Sequence, residues 1–130
     1  MNNNEQSYIP GVCNINREEI ASRRKAGHFG LIIFIVLLAV FVIAGINRYY
    51  RFVLLLPALI SAIGYLQARN RFCVGYAAAG QHNAVDGSTQ PEIISDKDSL
   101  KADKHKTRLI YIQAVTSSIL VTAASLLIPA

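Results

Sequence analysis

Residues 29–46 read "FGLIIFIVLLAVFVIAGI". No charge interrupts these eighteen residues, and fourteen of them are Leu, Ile, Val or Phe. Each such side chain favours a bilayer by roughly 0.3–0.6 kcal/mol, so together they contribute on the order of −5 kcal/mol. A buried helix of this purity in a soluble protein needs a large domain around it, and 130 residues cannot supply one. The run predicts a membrane-spanning helix. A cleaved signal peptide fits poorly, because the run starts late, is long, and leads through "AGINRYYR" into further apolar sequence rather than into a polar mature start.

Two more apolar blocks follow. Residues 52–66, "FVLLLPALISAIGYL", rise about 22 Å, short of a hydrocarbon core of about 30 Å, so this span borrows length from its flanks. Arg51 is expected to snorkel to the interface. Pro57 removes a backbone donor and predicts a kink. Residues 109–128, "LIYIQAVTSSILVTAASLLI", contain no formal charge and read as a full span. The resulting fold class is all-α: three transmembrane helices over residues 29–46, 52–67 and 109–128. They are joined by a short turn at 47–51 and by a polar connection at 68–108.

Basic residues assign the sides. Four precede the first span, seven lie between the second and third, and only Arg48 and Arg51 lie between the first and second. The positive-inside rule therefore predicts an N-in, C-out topology with residues 1–28 and 68–108 in the cytoplasm. The net charge of +5 follows from this clustering and gives no reason to expect nucleic acid. The expected partners are the bilayer and its anionic headgroups, met by Arg23, Arg24 and Lys25. Tyr49 and Tyr50 at one end, and Tyr65 and Tyr111 at the other, suit interfacial belts.

Outside the spans, residues 1–11 are polar and Asn-rich and predict a mobile tail. Asn16 followed by Glu19 has the form of a capping box, so a helix is expected from Arg17, with a bend near Gly27 or Gly30 as it enters the first span. Past the second span the helix is expected to continue through "QARNRFCVGYAAAG" until Gly80 stops it. "HNAVDGSTQPEII" reads as loop. Residues 95–99 cap the last helix, with Asp98 and Asp103 near its start suiting the dipole.

Candidate chemistry is sparse. Cys13, Cys73 and all three histidines fall on the predicted cytoplasmic side, but without CxxC, HxxxH or HExxH spacing. No metal and no cofactor is expected. The spans lack an ionisable residue, which disfavours an ion-coupled carrier. Ala114, Ser118 and Thr122 form a small-residue stripe suited to close helix packing, as do Ala58 and Ala62.

"GVCNINREEIASRR" before the first span and "GYLQARNRFCVGYAAAGQHN" after the second carry a resemblance. With the third span following a basic stretch, the chain resembles a group of small, functionally uncharacterised bacterial three-span integral membrane proteins. The resemblance covers most of the chain. It implies a bacterial cytoplasmic-membrane location and a pairing of the Cys13 and Cys73 segments, and supplies no reaction or ligand. The candidate site is accordingly a cytoplasmic cap formed by Cys13 and Asn14 against Arg69, Arg71, Cys73 and Asn83.

The function expected from these features is non-catalytic: an accessory or interaction subunit, self-associating or held in a larger membrane complex. Two alternatives stay open. One is an oligomeric pore or transport component lined by Ser and Thr. The other is a cytoplasmic-face redox or metal-binding protein built on Cys13 and Cys73.

Overall fold

Asn16 starts the first helix: its side-chain oxygen accepts the Glu19 amide at 3.0 Å, satisfying one orphan donor of the first turn. In the computed structural model, which describes residues 8–87 and 90–129, this helix (α1, Arg17–Ile43) is followed by a 3-10 helix at Arg48–Leu54. Helix α2 spans Leu55–Asn70 and α3 spans Val74–Ala79. A two-stranded antiparallel sheet, β1 (Gln81–His82) and β2 (Glu92–Ile93), precedes α4 (Lys97–Ser125).

Among the described residues, three segments are long and apolar enough to cross a membrane: Arg17–Ile43, Arg48–Asn70 and Lys97–Ser125. Helix α4, with 29 residues, is about 44 Å long, so it overruns a hydrocarbon core of about 30 Å by about two and a half turns. Ile32, Val36, Ile112 and Leu120 are each more than half exposed. An exposed apolar surface of this extent is consistent with a membrane location.

Helix α2 is the central element and packs against both α1 and α4. The α1–α2 crossing is made by glycine. A Cβ on Gly64 would lie 2.5 Å from the Gly27 nitrogen, and one on Gly30 would lie 2.6 Å from the Ser61 nitrogen. Helix α1 runs without interruption through Gly27 and Gly30, and these residues serve the close approach. On the other side of α2, Ala114, Ser118 and Thr122 are buried along one stripe of α4. Ala58 is buried with Phe34 and Leu54, whereas Ala62 is half-buried and lines the open groove beside them.

Pro57, expected to kink the second span, lies in the first turn of α2, three residues past the end of the 3-10 segment, so its missing amide falls where the span changes helix type. Two expectations need correction. Arg51 does not snorkel. It is wholly buried, and its Nη1 donates to the Ser125 and Ile128 carbonyls, both at 2.6 Å. Nor does α2 continue to Gly80: it ends at Asn70, Arg71 turns left-handed at φ 53°, and α3 is a separate helix that does stop at Gly80, at φ 70°. The break is held by Gln67, whose Oε1 accepts the Val74 amide at 3.0 Å, and by Phe72, which is buried with Val74, Ala77 and Ile110.

Candidate functional site

The polar segments gather at the end of the bundle where α1 begins and α2 ends. Their organiser is Asn14. Its backbone N–H donates to the Arg71 carbonyl at 3.0 Å, and its own carbonyl accepts the Asn83 amide at 2.8 Å. Its side chain engages Cys73 twice, with Nδ2 donating to the carbonyl at 3.0 Å and Oδ1 accepting the amide at 2.6 Å. Asn14 is wholly buried, so these bonds satisfy groups that have no access to water. The next residue, Ile15, pairs with Asn83 as a parallel bridge. Asn16 Nδ2 donates to the Val85 carbonyl at 3.0 Å, which ties the loop after β1 to the start of α1.

Residues 8–16 thus form a strap across the cap. Residues 1–7 of the expected mobile tail lie outside the described residues. Tyr8–Gly11 does not behave as expected, because it is docked. Tyr8 donates its hydroxyl to Asp103 Oδ2 at 2.7 Å, and its ring stacks on His82 with centroids 4.4 Å apart. Gly11, at φ 70°, donates its amide to Asp103 Oδ1 at 2.8 Å. Asp103 was expected to serve the α4 dipole, but it is buried six residues into the helix as the anchor of the strap. Burial first, and then the Asp103 carboxylate, hold the Tyr8 phenol well above its ordinary value. At the start of α4, Asp96 is the N-cap, and its bonds from Ser99 hold its carboxyl below the usual range.

The two thiols are buried and are not joined in a disulfide. Cys73 Sγ accepts from Arg23 Nη2 at 3.2 Å. The same Arg23 nitrogen lies 3.8 Å from Glu19, and Glu19 accepts the Tyr76 hydroxyl at 2.8 Å. Burial and then Glu19 raise the Tyr76 phenol above its ordinary value. Arg23 is therefore turned into the cap, leaving Arg24 and Lys25 exposed on the same helix.

Of the expected cap residues, Cys13, Asn14, Cys73 and Asn83 come together. Arg71 joins through its backbone while its side chain is exposed, and Arg69 lies apart on an exposed face of α2. Among the described residues, no three His, Cys, Asp or Glu groups converge as a metal site would require. The hydroxyls of α4 are divided: Ser118 and Thr122 are buried, while Thr116 and Ser117 face outward. Chemically, the cap is a hydrogen-bonded clasp. It fixes the N-terminal strap, the α2–α3 break and the loop after β1 to one another. Comparison with protein-family models, with curated proteins and with solved structures finds no match to this chain.

Proposed function

We propose that the protein is a non-catalytic, multi-pass accessory or interaction subunit of the bacterial cytoplasmic membrane. In this reading the clasp and both chain segments that build it face the cytoplasm, and the 3-10 helix that starts at Arg48 lies at the outer end of the bundle. The observation that carries the non-catalytic part is Asn14. Cys73 is buried, with its backbone bonded by Asn14 and its Sγ accepting from Arg23, so the residue most able to do chemistry is built into the contact that holds the segments together. Eleven basic residues on the cap side against two at the other end support the orientation.

Self-association, or docking on a larger membrane partner, uses the outward faces of α1 and α4, since the Ala114–Ser118–Thr122 stripe is buried within the bundle. Crosslinking in native membranes tests this part, and monomers alone would refute it. Orientation is tested with an impermeant maleimide. Cys13 and Cys73 are buried and provide a slow background, so reporters are placed at the exposed positions Lys101 and Arg48. Lys101→Cys is expected to react only in inside-out vesicles and Arg48→Cys only in intact cells. The reverse pattern would overturn the topology.

A further inference from the structure

The groove between α2 and α4 changes chemistry along its length. Next to the cap it opens as a cavity of about 330 Å³ lined by Leu66, Arg69, Asn70, Gln113 and Ser117. Deeper in the bundle lies a cavity of about 280 Å³ whose walls include Leu31, Phe34, Ala58, Ala62 and Val121. Ser117 lines both cavities. Gln113, Ser117 and Val121 recur every four residues on α4, so the polar-to-apolar change runs down one helical stripe, about 6 Å per step.

At the polar end Asn70 is engaged locally, its Nδ2 donating to the Leu66 carbonyl of its own helix at 2.7 Å. Arg69 forms no ion pair among the described residues, and no acidic side chain lines the cavity. Gln113 stands inside the apolar stretch of α4, where an amide without partners costs several kcal/mol in hydrocarbon. A fixed cation above an amide and a hydroxyl, leading into an apolar trench, matches an amphiphile with its anionic group uppermost. Basic pockets between membrane helices take phospholipid headgroups for this reason.

We infer that the α2–α4 groove is a binding site for one anionic phospholipid. Arg69 holds the phosphate, Gln113 and Ser117 bond the glycerol-ester region, and an acyl chain lies in the trench beside Ala58, Ala62 and Val121. The site is distinct from the diffuse headgroup contacts of Arg24 and Lys25, and it rests on the reading of α2 and α4 as membrane spans.

The test uses the full chain purified in a neutral detergent. If alkaline carbonate strips the chain from membranes before any lipid is added, the spanning reading itself fails. For a chain that needs detergent, native mass spectrometry is run with added phosphatidylglycerol, phosphatidylcholine or inorganic phosphate. One retained phosphatidylglycerol is expected, with weaker phosphatidylcholine binding and no displacement by phosphate. Arg69→Gln should weaken retention about tenfold, the order expected for one lost charge-assisted hydrogen bond. Ala62→Phe should block the trench and reduce retention while leaving Arg69 in place. An equal loss in the Arg24→Gln/Lys25→Gln double variant would overturn the proposal in favour of nonspecific surface attraction. So would equal binding of both lipids, displacement by inorganic phosphate, or unchanged retention in Arg69→Gln and Ala62→Phe chains with native circular dichroism.

Discussion

The side chain of Asn14 pairs with the backbone of Cys73 as one strand pairs with another, giving a donor to its carbonyl and an acceptor to its amide. Fifty-nine residues separate the two, so this contact closes the cap over the whole first helical hairpin. An asparagine is the shortest side chain that carries the donor and the acceptor on two separate atoms side by side, as a peptide group does. Asn14→Ala leaves the Cys73 amide and carbonyl buried without partners, at about 1–3 kcal/mol each. The expected outcome is faster amide exchange at Cys73 and Asn83, and maleimide labelling of Cys73 faster by about tenfold or more. Asn14→Asp should fail to rescue, because its carboxylate would face the Cys73 carbonyl. Unchanged labelling in both variants would show that the clasp does not depend on this residue.

Gly64 meets α1 where no side chain fits, since its Cβ would lie 2.8 Å from the Arg23 carbonyl oxygen and 2.5 Å from the Gly27 nitrogen. Both are backbone atoms of a helix and cannot turn aside. Gly64→Ala must therefore push α1 and α2 apart, at about 1–3 kcal/mol for overpacking. Gly75→Ala is the control, because the nearest atom to its Cβ would be Cys73 Sγ at 3.6 Å, an ordinary contact. Thermal unfolding in detergent should show a clear loss for the first and little change for the second. Equal midpoints would mean that the helices meet elsewhere.

Much of this architecture is written in local sequence. The charge-free run at residues 29–46 and the Asn16 cap speak through composition and short spacing, which need no tertiary partner to read. Gly27, Gly30 and Gly64 carried a usable signal, since small residues at helical spacing mark close packing, but glycine also suggests bending. What local pattern could not supply are pairings across long separations. Tyr8 meets Asp103 across ninety-five positions, and neither residue looks special in its own stretch. The break after Asn70 is similar: "RNRFCVGYAAAG" has good helix formers, and only Gln67 and Asn14, which supply hydrogen bonds to the freed backbone, make the interruption favourable. For the same reason Arg51 read as a snorkelling cation, when its partners are carbonyls at the far end of α4.

The strap should respond to alkali. The Tyr8 phenol is raised above its ordinary value of 10.0 by burial and by the Asp103 carboxylate it donates to. A group raised in the folded state contributes stability that is fully present below its unfolded value and is lost as pH rises through the folded one. Docking of residues 8–11 therefore persists at neutral pH and is lost only above pH 10, when a phenolate would face a carboxylate. The difference in tyrosinate absorbance between the native chain and Tyr8→Phe isolates this one phenol. Its midpoint is expected above 10, and a midpoint at or below 10 would show that Tyr8 is not held by Asp103.

Arg51 separates local from global stability. Its Nη1 closes the last turn of α4 by bonding the Ser125 and Ile128 carbonyls, a favourable place for a cation at a helix C-terminus. Its Nε and Nη2 are buried without partners. Two opposing quantities meet in this side chain. Removing it loses two charge-assisted bonds at about 1.5–3 kcal/mol each. It also relieves a desolvated charge whose burial costs several kcal/mol. Arg51→Met should consequently leave the global unfolding midpoint nearly unchanged, within about 1 kcal/mol, while the end of α4 opens and the Leu127 and Ile128 amides exchange faster. Arg51→Lys keeps a point donor and should slow that exchange again in part. A large global loss in Arg51→Met would mean that the two carbonyl bonds outweigh the burial of the charge. Unchanged exchange at Leu127 and Ile128 would show that the guanidinium does not hold the α4 terminus at all.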